Sequence, residues 1–277
     1  MCIMKVTLKG GRGVNEAAIR GLLPASLTLG RKLLCLERVG STNDSVKALA
    51  LQDGEHGTVV LAESQSEGRG RMGRRFESPA GAGVYLSVLL RPDCPPAELV
   101  TLTAWAAAAV CEALERCCGV YPRIKWTNDL LLNGRKLCGI LTELVMDGDT
   151  PCVVLGVGLN VTQSREEFAA LGLEDVATSL AAEGVAVERE ELAAAVITAL
   201  DGMVKGFPQK RRLWLERYRE RCVTLNRPVT VLRGGESRAA FALAVEGDFS
   251  LRVRWENGGE ECLSAGEVSV RGLMGYQ

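Results

Sequence analysis

The 277-residue chain lacks several residue patterns on which common catalytic sites depend. Its single histidine, His56, lies in a Gly-Glu-His-Gly segment that favours a turn, so histidine general-base catalysis and histidine-ligated zinc are poorly supported. The sequence has no Gly-x-Ser-x-Gly nucleophile elbow and no Gly-Lys-Ser/Thr phosphate loop. A site in this chain must therefore work mainly through positive charge and backbone amides.

The chain also lacks an excess of either charge and any long apolar run. Its 33 Lys and Arg residues face 34 Asp and Glu residues, so the net charge of -1 indicates neither nucleic acid nor a membrane as a partner. No stretch has eighteen uninterrupted apolar residues, and the N-terminus is unlike a signal peptide. The ten cysteines form no C-x-x-C pair and lie mostly in apolar stretches. These features predict reduced thiols in a soluble, cytoplasmic protein.

The order of strand and helix patterns predicts an α+β fold. A strand over 33–39 is followed by a helix that opens at the capping cluster 41–44, and a long helix is predicted over 97–118. Antiparallel strands follow between 124 and 161, and they are joined by an Asn133-Gly134 hairpin turn. The expected sheet is therefore mixed and backed by helices.

The C-terminal quarter has a different texture. Helical periodicity over 166–222, notably over 190–204 and 210–222, gives way after Asn226 to short alternating strands. These strands are separated by glycine-rich turns and are predicted over 229–232, 239–245, 251–255 and 267–271. This pattern indicates a small β-barrel. We therefore divide the chain into a short N-terminal extension over 1–30, a larger domain over 31–223 and a barrel over 224–277.

The most unusual segment spans 68–75, where four arginines and three glycines occupy eight positions after a predicted strand. Glycines let backbone amides approach an anion, and guanidinium groups bind phosphate or carboxylate oxygens in pairs, so the segment predicts an anion-binding loop. It matches G-x-G-x-x-G literally, but a dinucleotide fingerprint requires a helix to begin there and residues 74–79 are a poor helix start, so we reject that interpretation. A solvated basic loop or an RNA-contacting patch stays open as an alternative.

Polar side chains also interrupt the strands that follow. Asn128 and Asp129 lie in a strand-forming run, where an oxygen-ligated Mg²⁺ would account for them, and a turn is the alternative. Lys136 follows the hairpin turn as a candidate point charge for an anion, or as an edge-strand gatekeeper. The strand over 153–161 contains Gly156 and Gly158 before Asn160, which indicates close approach of a ligand or another chain segment, or a bulge.

Together these segments resemble the biotin-protein ligase family, whose hallmarks are a G-R-G-R-x-G-R loop, a K-W-x-N-D-L strand followed by R-K-L-x-G-I-L-x-E, and a G-x-G-x-N strand. All three occur here in family order, and the resemblance runs from about Leu33 to the C-terminus. It implies a mixed sheet backed by helices, as in class II synthetases, followed by an SH3-like barrel whose closing strand would be 266–271.

The resemblance also implies roles for individual residues. Lys136 and Arg71 would be catalytic, and Asp129 would hold Mg²⁺. The implied biotin-binding residues are Ser41, Thr42, Asn43, Gln65, Gly68, Arg69, Gly70, Arg71, Trp126 and Lys136. The implied ATP-binding residues are Arg71, Arg74, Asn128, Asp129, Lys136 and Asn160.

The implied reaction activates biotin with ATP to biotinyl-adenylate and then transfers biotin to one lysine of a biotin carboxyl carrier protein or domain. About thirty residues precede the matching region, which is short for a winged helix, so we expect a form without DNA binding and with a homodimer as one option for its assembly. A lipoate-protein ligase and a non-catalytic RNA-binding module are the competing interpretations.

Overall fold

The computed structural model describes residues 13–148, 150–264 and 269–272. The larger part of the chain alternates helices and strands. Its helices are α1 (Glu16–Leu22), α2 (Thr42–Ala50), α3 (Pro96–Leu99), α4 (Leu102–Cys118), α5 (Arg165–Ala170), α6 (Arg189–Gly206) and α7 (Arg211–Arg221). Its strands are β1 (Leu33–Val39), β2 (Val59–Gln65), β3 (Gly83–Leu90), β4 (Arg123–Lys125), β5 (Asp129–Leu132), β6 (Arg135–Asp147) and β7 (Thr150–Asn160).

These strands form a seven-stranded sheet in the order β1-β2-β3-β7-β6-β5-β4. The β1–β2 pair is parallel and is connected through α2, whereas the remaining neighbours are antiparallel. The β5–β6 turn has positive φ at Asn133 and Gly134, as a two-residue hairpin of the predicted kind requires. The predicted mixed sheet is confirmed.

The two faces of the sheet are covered unequally. Helices α4, α6 and α7 pack together on one face over the main hydrophobic core. On the other face α2 covers a smaller apolar cluster that includes Val46, Val60 and Val154. Because side chains alternate along β7, its even-numbered residues face α2 and its odd-numbered ones face the main core. The α2 face beyond this cluster is left for a binding site.

Helix α4 is the centre of the main core, and its residues from Ala106 to Cys111 are fully buried. The stretch Pro96–Cys118 is long and apolar enough to cross a membrane by length and composition, but 78% of its most apolar window is buried inside the protein, as in a core helix. The prediction of a single helix over 97–118 is wrong in one respect, since the helix is interrupted between α3 and α4. There the Thr101 hydroxyl donates to the Glu98 carbonyl, a local bond that competes with regular helix.

The N-terminal helix α1 packs against α6. Asn15 caps it by accepting from the Ala18 amide at 3.2 Å, and Ile19 is fully buried. The following turn is fixed by Asp201 of α6, whose Oδ1 accepts from the amides of Thr28 and Leu29 at 2.7 and 2.9 Å. This anchor joins the start of the described chain to the helical layer.

The last part of the chain forms a five-stranded antiparallel sheet in the order β11-β10-β9-β8-β12. Within the described residues β11 and β12 are its two edges, so a closed barrel is not seen. The predicted closing strand is described from Ser269 onward, whereas 266–268 lie outside the described residues. Its strands are β8 (Arg227–Arg233), β9 (Glu236–Val245), β10 (Leu251–Trp255), β11 (Glu260–Leu263) and β12 (Ser269–Gly272).

Candidate active site

Two adjoining cavities open on the α2 face of the large sheet. The first lies between the start of α2, the glycines of β7 and the loop after β2, and measures about 440 Å³ when the space open to solvent is included. The second lies between the same loop and the corner that joins β4 to β5, and measures about 600 Å³ on the same basis. The wall between them is formed by Gly70, Phe76, Asn128 and Lys136, which line both cavities. Two ligands could therefore meet at this wall.

The floor of the first cavity depends on two glycines of β7. A Cβ atom at Gly156 would overlap the side-chain oxygen of Asn43, and one at Gly158 would lie 2.7 Å from the ring of Phe76. The predicted close approach at these glycines is therefore made by side chains of the protein itself, which rest on the bare backbone. The glycines also line the cavity, so the missing side chains give it depth.

A hydrogen-bond network fixes the polar side chains of the first cavity. The Thr42 amide and hydroxyl both donate to Gln65 Oε1, at 2.9 and 3.1 Å, and Gln65 Nε2 donates to Ser78 Oγ at 2.8 Å. The fully buried Ser87 hydroxyl lies 2.7 Å from Thr42 Oγ1 and 2.6 Å from Asn43 Oδ1. The start of α2 is thus held in place from two strands below it.

Charged groups surround the same cavity. The Lys47 ammonium lies 2.6 Å from Glu143 Oε1, while the other oxygen of Glu143 accepts from Asn43 Nδ2 at 2.6 Å. Asp44 forms an ion pair with Arg69 of the loop. This ion pair raises the pKa of Arg69 above its ordinary value, with the hydrogen bond that Arg69 donates to Asp44 as the main cause. The two ion pairs connect α2 to the cavity floor and to the loop above it.

The arginine-rich loop is folded back on itself. Isolated bridges pair Gln65 with Ser78 and Arg69 with Arg75, and a short 3₁₀ turn over Arg71–Gly73 forms its tip. A side chain at Gly68 would overlap the Phe76 carbonyl, so the bare backbone there lets the two arms of the loop close. The loop covers both cavities, with Arg69 facing the first and Arg74 and Arg71 facing the second.

In the second cavity Arg71 is held against the β4–β5 corner. Its Nη1 donates to Thr127 Oγ1 at 3.0 Å and to Asn128 Oδ1 at 3.2 Å. Burial lowers the pKa of Arg71 from its ordinary value, and the nearby Asp129 carboxylate opposes that shift. Since the ordinary value is so high, the guanidinium stays cationic at neutral pH and brings a partly desolvated charge to the cavity.

Lys136 reaches the wall between the cavities from the start of β6. Its backbone is fixed by bonds to Val176 and Thr178, so only the side chain is free to reorient. The ammonium lies 2.7 Å from Asp129 Oδ1 and 5.9 Å from the centre of the Phe76 ring. Gly139 leaves it room, since a Cβ there would lie 3.2 Å from Nζ. The cation is thus placed where it can contact a ligand in either cavity.

The side chains around the second cavity offer few ligands for the expected Mg²⁺ ion. Among the described residues no group of three or more His, Cys, Asp or Glu side chains is placed to hold a metal ion. Asn128 is a poor ligand because its oxygen accepts from Arg71 and its nitrogen donates to the Ile140 carbonyl. Asp129 lines the second cavity. One carboxylate suits a Mg²⁺ ion that is held mainly by nucleotide phosphates and water, and not an all-protein cage.

The structure brings most of the predicted site residues together and separates a few. Gly68 lines neither cavity, and Asn160 is buried in a bond to the Thr178 carbonyl. Trp126 lines only the second of the two cavities, and its indole nitrogen donates to the Phe249 carbonyl at 2.9 Å. The predicted residues that line a cavity are Ser41, Thr42, Asn43, Gln65, Arg69, Gly70, Arg71, Arg74, Trp126, Asn128, Asp129 and Lys136.

Sequence reasoning missed three residues that shape the site, namely Phe76, Ser87 and Glu143. Ser87 lies within a strand that is buried along its whole length, so a buried hydroxyl was the only signal. Glu143 is a carboxylate in an apolar strand, which is disfavoured unless it has a partner. His56 lies elsewhere, where its Nδ1 accepts from the Arg91 amide at 3.0 Å, and it lines neither cavity.

Residues 35–160 match the Biotin/lipoate A/B protein ligase family. The bifunctional ligase/repressor BirA of Bacillus spizizenii is 36% identical over 208 residues, and the match covers 73% of this chain and 63% of that protein. The biotin--[acetyl-CoA-carboxylase] ligase of Mycobacterium tuberculosis is 34% identical over 263 residues, with 92% and 95% covered. The chain therefore spans less than two thirds of the BirA relative but nearly all of the mycobacterial one.

The fold matches solved structures as well. The biotin protein ligase from Aquifex aeolicus, in complex with biotin and ATP, superposes with a TM-score of 0.74 and 27% sequence identity. The match covers 87% of this chain and 99% of that one. The similarity therefore extends well beyond the segment of residues 35–160.

Proposed function

The chain belongs to the Biotin/lipoate A/B protein ligase family, and from that premise we propose that it is a biotin-protein ligase. It activates biotin with ATP and transfers it to a lysine of a biotin carboxyl carrier protein. The observation that carries this proposal is the shared wall between the two cavities. One cavity takes biotin, the other takes ATP, and the reacting groups meet at Lys136.

The first step joins two anions. A carboxylate oxygen of biotin attacks the α-phosphorus of ATP, the bond to the β-phosphate oxygen breaks, and pyrophosphate leaves. Lys136 and Arg71 offset the repulsion between the carboxylate and the phosphate, since both cations reach the second cavity and Lys136 also reaches the first. Fixing both ligands in adjoining cavities supplies proximity, and no histidine is required.

Asp129 would hold a Mg²⁺ ion together with the nucleotide phosphates, and the ion would supply further positive charge to the phosphate groups. Lys136 lies 2.7 Å from this carboxylate. Asp129 therefore also holds the ammonium at the wall until ligands bind. Asn128 orients Arg71 through its side-chain oxygen at 3.2 Å, which is a role in positioning.

The ureido ring of biotin is recognised by the polar groups of the first cavity, and Ser41, Thr42, Asn43 and Gln65 are the contributors. In the second step the carrier lysine amine attacks the acyl carbon of the adenylate, the bond to the phosphate oxygen breaks, and AMP leaves as the amine loses a proton. The loop that carries Arg69 covers the adenylate between the steps and excludes water.

The same proposal covers the organisation of the chain. Residues 31–223 form the catalytic domain, residues 1–30 are an N-terminal extension, and strands β8 to β12 belong to an SH3-like barrel within 224–277. The acceptor is a carrier domain of a biotin-dependent carboxylase, and the reaction takes place in the cytoplasm.

The proposal is tested by incubating the purified protein with biotin, Mg²⁺ and α-labelled ATP and separating the bound products. We expect labelled biotinyl-adenylate that stays with the protein and disappears when a biotin carrier domain is added. Product formed with lipoate but not with biotin would contradict the biotin assignment. RNA binding without ATP turnover would contradict the ligase assignment altogether.

A further inference from the structure

The amide of Asn43 lies at the bottom of the first cavity with both ends engaged. Its Nδ2 lies 2.6 Å from Glu143 Oε2, and its Oδ1 lies 2.6 Å from Ser87 Oγ. The residue is only 4% exposed. The two ends of an amide have nearly the same shape, so the hydrogen-bond partners decide which end faces which neighbour.

Glu143 is the nearer of two acceptors for the NH₂ group of Asn43, since the Leu141 carbonyl lies 3.5 Å from Nδ2 and Glu143 Oε2 lies 2.6 Å from it. Its carboxylate is in an ion pair with Lys47 at 2.6 Å, and an ionised carboxylate accepts hydrogen bonds without donating any. Asn43 must therefore turn its NH₂ group to Glu143 and its carbonyl to Ser87. The hydroxyl of Ser87 can donate to that carbonyl, so the orientation is consistent at both ends.

The hydroxyl proton of Thr42, the next residue of this network, is also used in a hydrogen bond within the protein. Two oxygens lie within reach of this proton, Gln65 Oε1 at 3.1 Å and Ser87 Oγ at 2.7 Å. Ser87 gives its own proton to Asn43, so either choice keeps the Thr42 proton within the network. What remains on Thr42 Oγ1 and Asn43 Oδ1 are lone pairs. The floor of the cavity therefore accepts hydrogen bonds, which suits a ligand ring that carries N–H donors.

We propose that Glu143, which does not line the cavity, is a specificity-determining positioning residue that acts through Asn43. It makes the floor of the first cavity accept hydrogen bonds, and so favours a cyclic urea over an apolar ring of similar size. This inference rests on the proposed function and names the residue that sets its ring selectivity. A glutamine at 143 turns its oxygen to the Lys47 ammonium and its NH₂ group to Asn43, so only the 3.5 Å contact with the Leu141 carbonyl still holds Asn43 in its native orientation.

A purely structural role for Glu143 makes a different prediction. Through Lys47 the carboxylate also joins α2 to the sheet, and loosening that joint would weaken every ligand and lower the melting temperature together. A role in hydrogen-bond polarity weakens only ligands with ring N–H groups. It is also rescued by a second substitution that restores the polarity.

The test is isothermal titration of the full chain with biotin, desthiobiotin, lipoate and, separately, ATP. We expect Glu143→Gln to bind biotin and desthiobiotin about tenfold more weakly, since the ring loses the acceptor that Asn43 offers it. ATP affinity is unchanged, and the melting temperature falls only by the small amount that a partly exposed ion pair contributes. Lipoate has no ring N–H donors, so we expect its affinity to be low for the native chain and not to fall further in the variant. Glu37→Gln, an exposed residue of β1, is the charge-matched control and binds all ligands as the native chain does.

The double variant supplies the rescue. Asn43→Asp alone places two carboxylates against each other and binds biotin at least tenfold more weakly. Combined with Glu143→Gln, the new carboxylate accepts from both Ser87 and Gln, and most of the affinity returns.

Native biotin affinity in Glu143→Gln, a double variant no better than Asn43→Asp alone, or an equal loss for ATP would each overturn the assignment of Glu143. A native chain that binds no biotin would overturn the proposed function and this inference with it.

Discussion

Among single residues, Lys136 has the most direct part in the proposed chemistry, since it lines both cavities. We expect Lys136→Ala to lower the rate of adenylation by about 10²- to 10³-fold, because it removes a fixed charge from the reacting anions. The melting temperature should change little, since the side chain is at the surface of the cavities and its backbone bonds are kept. Pyrophosphate release and a melting curve measure the two quantities.

The matched control is Lys32→Ala, which removes an exposed lysine outside both cavities and should leave the rate of adenylation unchanged. A normal rate of pyrophosphate release by Lys136→Ala would remove Lys136 from the mechanism. The proposed two-cavity chemistry would then need another cation at the shared wall.

Gly156 sets the position of Asn43, since an added Cβ would overlap the Asn43 oxygen. We expect Gly156→Ala to raise the biotin KM at least tenfold and to cost about 1–3 kcal/mol of stability from overpacking. Gly202→Ala is the control, because no atom lies within 4 Å of its added Cβ in helix α6. That substitution should leave KM unchanged and stabilise the helix by about 0.5–1 kcal/mol. An unchanged biotin KM in Gly156→Ala would show that the position of Asn43 does not affect biotin binding.

The residues of the site could be predicted where one short segment of the sequence carries a conspicuous pattern of functional groups. Arg71 and Lys136 are charged groups in conspicuous local patterns, and both line the second cavity. The hydrogen-bond partners of a side chain cannot be predicted from its local sequence when they lie far along the chain. Asn160 was predicted at the nucleotide, but a bond to Thr178, 18 positions along the chain, holds its amide within the protein. Ser87 escaped notice because its contacts with α2 exist only after the sheet has formed.

Among the elements, helix α6 has a structural role that is separate from the site. Its Asp201, 2% exposed, accepts from two backbone amides of the segment before β1. Asp201→Ala leaves those amides without a partner, so we expect a loss of about 1–3 kcal/mol in the free energy of unfolding with unchanged biotin KM. Glu191→Ala, an exposed residue of the same helix, should cost far less. Urea denaturation measures both, and equal losses would show that Asp201 is not an anchor.

The elements themselves were predicted well where a period is uninterrupted. Strand β1 has the predicted bounds, and α6 lies within about two residues of its predicted ones, since their apolar spacing is clear. The break between α3 and α4 was missed, because it rests on a local turn in which both the amide and the hydroxyl of Thr101 donate to the Glu98 carbonyl. Strand β11 was also missed, since its four residues are mostly exposed and depend on pairing with β10.

For the molecule as a whole, burial of thiols predicts how stability depends on alkaline pH. Burial raises the pKa of Cys111 from 9.0 to about 12 and that of Cys222 to about 11. Folding therefore favours the protonated thiols, and their contribution to stability is complete below pH 9 and is lost as pH rises from 9 towards 12. We expect the urea midpoint to be lower at pH 10.5 than at pH 8.

Two substitutions locate the origin of that change. Cys111→Ala should shrink the difference between the two midpoints, whatever its effect on stability at pH 8. Cys262→Ala removes an exposed thiol and should leave the difference as it is. Equal midpoints at pH 8 and pH 10.5 in the native chain would contradict the predicted loss of stability.

The bond from the Trp126 indole to the Phe249 carbonyl ties the second cavity to the turn between β9 and β10 of the C-terminal sheet. Arg219 of α7 reaches the same sheet through the Val245 carbonyl at 2.8 Å. Contacts with the C-terminal sheet therefore help to fix Trp126 and helix α7 of the larger domain in position. A chimera that grafts a foreign C-terminal sheet onto the larger domain therefore needs a carbonyl at the place of Phe249 if the position of Trp126 is to be kept.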